Sequence, residues 1–217
     1  MILITGGVRS GKSAFGEARA RQRAAAAGAD GAGVVYVATS RVWDGEMADR
    51  VARHRATRPA GWQTVEAPLD LAGALAAPPA AAAPAVLVDS VDAWVANRLM
   101  DANPAAGEQI DRDALAELES SLLADAAAIS HRDAAGAERL ILVTLEAGWG
   151  VVPPSPLGRA FRDVLGRVNQ ALAREAAGVY LLVAGLPVDV KRLSRETLSR
   201  IDAGEPSAGS GETERER

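Results

Sequence analysis

The sequence predicts an α/β domain with a mostly parallel sheet flanked by helices, and three observations carry that prediction. Short apolar, β-branched runs recur along the chain: residues 1–5 (MILIT), 33–39 (GVVYVAT), 85–89 (AVLVD), 140–145 (LILVTL) and 179–184 (VYLLVA). They are apolar throughout rather than alternating, which is the pattern of strands buried on both faces. Segments of helical spacing separate them, the order that places consecutive strands in parallel. The third observation is bulk composition: 217 residues, 48 % apolar and 24 % charged, enough for a single core without staples.

Each element has its own signal. The first strand ends at the pair Gly6-Gly7, and a helix is expected over 12–27. After the second strand, 46–57 reads as a polar helix that stops before Arg58-Pro59, because the residue before proline avoids the helical region. Residues 62–66 are expected as a short strand. Residues 76–85 contain Pro78, Pro79 and Pro84 and are a connector despite their alanines. A helix across Trp94 and Leu99 follows the third strand, and Leu115, Leu118, Leu122 and Ile129 mark one face of another. Ser155-Pro156 supplies an N-cap and a first-turn proline for an amphipathic helix through Leu157, Phe161, Val164, Leu165, Val168 and Leu172. Residues 179–184 are expected as the last strand. The domain is expected over 1–192 and a C-terminal tail over 193–217, largely disordered from about 203, where AGEPSAGSGETERER has no large apolar side chain.

Charge and rare residues narrow the function. With 24 Lys plus Arg against 28 Asp plus Glu the net charge is −4, so no global field draws the chain to nucleic acid. The absence of cysteine excludes disulfides, thiolate metal sites and cysteine nucleophiles. His54 and His131 are the only histidines, too few for a multi-histidine metal site. The N-terminal MILITGG lacks the length and charge of a signal peptide, and no apolar run approaches the ~18 residues needed to span a bilayer. A cytoplasmic location without a membrane span is therefore expected.

The sharpest motif is GGVRSGKS: Gly6, Gly7, Val8, Arg9, Ser10, Gly11, Lys12 and Ser13. It fits G-x-x-x-x-G-K-[ST] between a strand and a helix. Glycines let successive backbone N–H groups converge on phosphate oxygens, and the helix N-terminus adds positive potential. Lys12 is expected to reach the terminal phosphates and Ser13 to ligate Mg²⁺. Asp89, ending AVLVD, suits the second metal-holding position. The motif places the chain among P-loop NTPases, and the expected fold is a RecA-like domain of that kind, but switch ATPases, motors, small-molecule kinases and nucleotidyl transferases all share the motif.

A second cluster lies between residues 36 and 66. On a helix Glu46, Arg50 and His54 fall at i, i+4 and i+8 along one ridge. A histidine there serves as a nucleophile if arginines neutralise phosphate charge beside it; a solvated helix with an incidental histidine explains the same spacing.

The order of blocks separates the two. GGVRSGKS is followed by YVATS, then D-G-E-M-A-D-R-V-x-x-H-R-x-x-R-P, W-Q-T-V-E and VLVD with a following Trp. The series closes with E-A-G-W-G-V-V-P, R-A-F-R-D-V-L-G-R-V-N-Q and V-A-G-L-P. From Met1 to about Lys191 the chain resembles the bifunctional adenosylcobinamide kinase/adenosylcobinamide-phosphate guanylyltransferase family of cobalamin biosynthesis. The resemblance implies phosphorylation of adenosylcobinamide by ATP or GTP. It then implies transfer of GMP from GTP to adenosylcobinamide phosphate through a guanylylated histidine, which falls on His54, with release of pyrophosphate. It further implies nucleotide contacts from Gly6 to Ser13, from Ala38, Thr39 and Ser40, from Arg55, Ala56, Thr57 and Arg58, and from Glu66 and Asp89. A homotrimer is also implied.

Two positions depart from the family pattern: Leu145 where Asn is expected before Glu146, and Asp92 where Thr is expected after the strand-end Asp. Other features compete less well. His131-Arg132-Asp133 spells a protein-kinase signature without the rest of that fold. Trp94 is expected in the core, whereas Trp43 and Trp149 fall in predicted loops where either packing or a flat corrin ring could occupy them. Arg159, Arg162 and Asp163 read by default as a solvated helix face, with intersubunit or substrate contacts as the alternative. The rival functions are a P-loop small-molecule kinase with no guanylyl step, a RecA-like NTP-binding module, and a relative that binds nucleotide without catalysis.

Overall fold

A computed structural model describes residues 1–29, 33–41, 45, 59–103, 110–133 and 138–202. Strand β1 (Ile2–Gly6) leads into α1 (Lys12–Ala26), then β2 (Val34–Ala38) and β3 (Gln63–Glu66). Helix α2 (Leu71–Ala76) and a 3-10 turn (Ala80–Ala82) precede β4 (Ala85–Asp89), α3 (Val91–Ala102), α4 (Arg112–His131) and β5 (Leu140–Val143). Helix α5 (Pro156–Glu175), strands β6 (Gly178–Val183) and β7 (Leu186–Asp189), and α6 (Val190–Asp202) follow. The expected helix over 46–57 and the tail from 203 lie outside the described residues.

The strands form one seven-stranded sheet in the order β3-β2-β4-β5-β1-β6-β7. Every neighbouring pair is parallel except β6–β7. The carboxyl ends of β1 to β6 therefore share one edge, where ligands of open α/β sheets bind.

Both faces are covered, as the uninterrupted apolar strands require. On one face α1 packs through Gly16, Ala20 and Ala24 against Ile4, Leu87 and Val143. A Cβ at Gly16 would sit 3.0 Å from Val143 and 3.1 Å from Leu87, so this stripe of small residues is what brings α1 close to the strands. The other face carries the larger cluster, in which Trp94, Leu99, Leu122, Val164 and Leu165 close over Leu3, Val37, Val88 and Leu142. The expected caps are present: Ser155 Oγ accepts from Gly158 N at 3.1 Å, with Pro156 in the first turn.

Three elements differ from the sequence reading. Helix α2 extends the Ala-rich stretch upstream of the proline connector, capped by Asp70, which accepts from Gly73 N at 2.8 Å. Residues 179–184 are not the last strand, because the chain turns back into β7. Ala184 (φ 51°) and Gly185 (φ 84°) form that two-residue turn, with positive φ at both positions as a tight hairpin demands. The expected boundary at 192 falls inside α6, which runs on to Asp202. The root of α6 is fixed by Lys191 Nζ, which donates to the carbonyls of Ala173 and Arg174, each at 2.9 Å, and also to Ala176, at the C-terminus of α5.

Candidate active site at the carboxyl edge of the sheet

The phosphate loop leaves β1 at Gly6, and the chain re-enters helix at Lys12. Gly11 (φ 95°) is the N-cap of α1 and makes no side-chain cap, and no acidic residue occupies the first turn. A helix N-terminus without a side-chain cap or a first-turn acid is the arrangement that receives an external anion. Lys12 Nζ folds back to donate to Gly7 O at 2.7 Å. Val8 and Arg9 are exposed, Ser10 is buried, and Ser13 is half-buried one residue into the helix.

The β6–β7 hairpin braces this loop from behind. Gly185 N donates to Ser10 O at 2.9 Å, and a Cβ at Gly11 would lie 3.2 Å from Gly185 Cα. The V-A-G-L-P block of the sequence is therefore a structural support for the phosphate loop.

Two strands away in the sheet, Asp89 ends β4. Its Oδ2 accepts from Tyr36 OH at 2.8 Å. Asp89 and Ser13 are hard oxygen donors of the kind Mg²⁺ takes beside nucleotide phosphates. The Asp89–Ser90 peptide bond is cis. Thr39 holds this corner: its Oγ1 donates to Ser90 O at 2.7 Å and accepts from Ser90 N at 2.8 Å. Thr39 is fully buried, so its hydroxyl positions the strand ends, while Ser40 beside it is exposed. Asn97 of α3 completes the brace, donating through Nδ2 to Thr39 O at 2.7 Å and to Pro68 O at 3.0 Å.

Ala38 pairs in register with both Asp89 and Glu66, so the structure aligns these three along the edge, with Glu66 exposed at its far end. His54, Arg55, Ala56, Thr57 and Arg58 lie outside the described residues, within the connection from β2 to β3, as does Trp43.

The two departures have different consequences. The Leu145 side chain packs against the larger core, and its carbonyl is held by Asn169 Nδ2 at 3.0 Å. This position is thus accommodated by packing. Asp92 stands in the first turn of α3 near Asp89 and Lys12. Burial pushes its carboxyl above the usual carboxylate range, and Asp89 adds to that, while the Ser90 hydroxyl and Lys12 oppose it. A carboxyl raised in the fold favours the folded state fully below 3.8, its ordinary value, and that advantage is lost as pH rises through the folded value. Asp92→Thr is accordingly expected to raise Tm at pH 7. The gap should close as pH falls toward 3.8, which melts across a pH series will read.

Of the remaining candidates, Trp94 is core as expected, with Nε1 donating to Leu69 O at 2.8 Å. Trp149 is 69 % exposed in the loop after β5. His131 ends α4, and Asp133 is buried against the Met1 amino group at 2.7 Å, a structural ion pair. Arg159 ties down the loop before α5, donating to Pro153 O at 3.1 Å and Pro154 O at 2.6 Å. An open cleft of about 630 Å³ lies where α4 and α5 begin, lined by Ile110, Arg112, Leu115, Pro156, Arg159 and Asp163. Tyr36, Asn97 and Asn169 were not singled out by sequence reasoning, since no local spacing links them to their distant partners.

A phosphate loop on an interior strand of the sheet, an uncapped helix N-terminus and a strand-end aspartate define a P-loop nucleotide-binding protein. Residues 2–190 match the family described as cobinamide kinase / cobinamide phosphate guanyltransferase, and the chain belongs to that family. It is 39 % identical over 191 residues to the bifunctional adenosylcobalamin biosynthesis protein CobP of Pseudomonas aeruginosa, covering 87 % of this chain and 96 % of that one. It is 38 % identical to the CobU proteins of the same description from Escherichia coli, over 192 residues, and Salmonella typhimurium, over 195. Each of those matches covers 88 % of this chain and 99 % of the relative. Beyond Val190, α6 lies outside the matched family region.

Proposed function

We propose that this chain is a bifunctional cobinamide kinase and cobinamide-phosphate guanylyltransferase whose two reactions share one nucleotide-handling edge. The observation that carries the reading is the N-terminus of α1. Gly11 offers no side-chain cap there, and Lys12, whose Nζ donates to Gly7 O, is the first helical residue, so a helix N-terminus and a lysine stand together where a triphosphate would bind. In the kinase reaction the aminopropanol hydroxyl of adenosylcobinamide takes the γ-phosphoryl group of ATP or GTP. In the second reaction a ring nitrogen of His54 attacks the α-phosphorus of GTP and releases pyrophosphate. The phosphate of adenosylcobinamide phosphate then displaces GMP from the histidine, giving adenosylcobinamide-GDP. One difficult transfer thereby becomes two easier ones.

Ser13 and Asp89 would hold Mg²⁺, which when bound withdraws charge from the phosphates. Lys12 neutralises the transferring phosphoryl group; the backbone of Gly6, Gly7, Val8, Arg9, Ser10 and Gly11 cradles it. Ala38, Ser40, Glu66 and the arginines Arg55 and Arg58 serve the rest of the nucleotide, and Thr39 serves by position. Residues 1–192 form the working domain, and 193–217, which begin within α6, an appendage to it. No helix among the described residues is long and apolar enough to cross a membrane, and we place the enzyme in the cytoplasm. Self-association as a homotrimer is supported by apolar side chains left exposed on the β6–β7 hairpin (Val183, Leu186, Val188) and on α6 (Leu193, Leu198, Ile201).

The test is incubation with Mg²⁺ and GTP followed by intact-protein mass spectrometry. An acid-labile GMP adduct is expected on the wild type and its complete loss in His54→Ala, with Lys12→Ala strongly impaired. A wild-type protein that binds GTP yet forms no adduct would sink the guanylyl half and leave a small-molecule kinase.

A further inference from the structure

We infer that Glu146 is the base of the phosphoryl-transfer half-reaction, taking the proton from the acceptor hydroxyl; this rests on the function proposed above. Attack on the γ-phosphorus forms an O–P bond from the acceptor oxygen and breaks the bond from that phosphorus to the β–γ bridging oxygen. The nucleoside diphosphate leaves, and the hydroxyl proton passes to the Glu146 carboxylate. The guanylyl half-reaction needs no such base. Its nucleophiles are a neutral imidazole and an already ionised phosphate, so the two activities of one protein have different requirements for a carboxylate.

The sheet order selects Glu146 among the carboxylates of the edge. Neighbouring strands are spaced by about 4.8 Å, so β5 is one step from β1, β4 lies roughly 10 Å away, and β3, which ends in Glu66, roughly 19 Å. The segment after β5 stays beside β1: Thr144 N donates to Ile4 O at 2.9 Å, and Glu146 N donates to Gly6 O at 3.2 Å, at the root of the phosphate loop. Its opposite side is fixed to α5, where Thr144 Oγ1 donates to Asn169 Oδ1 at 2.8 Å and Asn169 Nδ2 donates to Leu145 O at 3.0 Å. Glu146 is thus tied to the phosphate loop through its own amide, and the two residues before it are tied to α5 through the Asn169 side chain, the support a reacting group requires.

The carboxylate itself is only loosely engaged. Oε1 accepts from Gly148 N at 3.4 Å, long for such a bond. Asp89 is bonded by Tyr36 and assigned to the metal, and Asp92 is tied to the Ser90 hydroxyl. The loop that Glu146 opens also presents Trp149, Val151 and Val152 to solvent, an apolar shelf beside the base for a large flat acceptor.

The experiment compares the wild type, Glu146→Gln and Asp92→Asn as full chains. One assay follows phosphoryl transfer from ATP to adenosylcobinamide; the other follows the GMP adduct formed with GTP. Glu146→Gln should lower the kinase kcat by about 10²–10⁴-fold, leave KM for ATP within a few-fold, and form the adduct at the wild-type level. A kinase kcat close to wild type overturns the assignment, as does a parallel loss of both activities, which would mean a role in folding or nucleotide binding. Kinase loss in Asp92→Asn with Glu146→Gln unaffected overturns it in favour of Asp92. A wild type inactive in both assays overturns the function proposed above, and this inference with it.

Discussion

Gly6→Ala is expected to abolish nucleotide binding and destabilise the whole domain. A Cβ at Gly6 would stand 2.5 Å from Leu182 O and 2.9 Å from Ser10 Oγ, on a backbone at φ 150°. The first of these atoms cannot swing away. Leu182 pairs in register with Gly6, and its strand continues into the hairpin whose Gly185 N–H holds Ser10 O. Relieving the clash therefore means parting β1 from β6 and releasing the phosphate loop together. A cost of about 3 kcal/mol is expected for enforced strain of this kind, with nucleotide affinity reduced by at least about a hundredfold, or ~2.7 kcal/mol. Gly7 provides the internal comparison, because a Cβ there meets nothing within 4 Å. Melting of the two alanine variants, with calorimetric titration of GTP, reads both effects. Equal Tm for the two would show that the close approach at Leu182 is not what holds Gly6.

The contrast between these adjacent glycines shows where the sequence stops being legible. The motif marks Gly6, Gly11, Lys12 and Ser13 because their spacing is local, and the apolar runs expose the strands because burial on both faces leaves an unbroken signature. Small residues carry a weaker signal: Gly16, Ala20 and Ala24 dock α1 but suit core and surface equally. Strand β7 escaped because Ala184-Gly185 is not a usual hairpin dipeptide and Pro187 argues against a strand except at an edge, where β7 lies. Helix α6 shows helical spacing in Val190, Leu193, Thr197 and Ile201 but fully buries none of it, only Val190 at its root touching the core, so a reading guided by core formation passes over it. The polar braces of the site were least visible. Tyr36 with Asp89 and Asn97 with Thr39 are separated by 53 and 58 residues, and only the sheet order brings them together. Thr39 itself was expected at the nucleotide, yet its hydroxyl is spent on the Ser90 backbone.

Asn97 is the residue through which that hidden order can be tested most severely. It is buried, and one Nδ2 serves the carbonyls of Thr39 and Pro68. Asn97→Ala leaves the buried Thr39 carbonyl and the part-buried Pro68 carbonyl without their donor; a buried unsatisfied group costs about 1–3 kcal/mol, and one that water can reach costs less. A loss of about 2–4 kcal/mol is expected, or a Tm lower by roughly 4–16 °C at about 2–4 °C per kcal/mol for a domain of this size. Asn97→Asp should be worse near neutral pH despite its closer shape, because a carboxylate would face two carbonyl oxygens with no proton to donate. Its carboxyl would be raised in the fold, so part of the lost stability should return as pH falls and the acid regains a donor. That recovery, absent in Asn97→Ala, distinguishes a missing hydrogen bond from a packing defect. The functional consequence follows from Thr39: with its carbonyl released, the corner holding Ser90 and Asp89 loosens, and KM for the nucleotide should rise in the variant fraction that remains folded. A folded Asn97→Ala protein with wild-type stability and KM would mean that Thr39 and Ser90 hold the edge without help from α3.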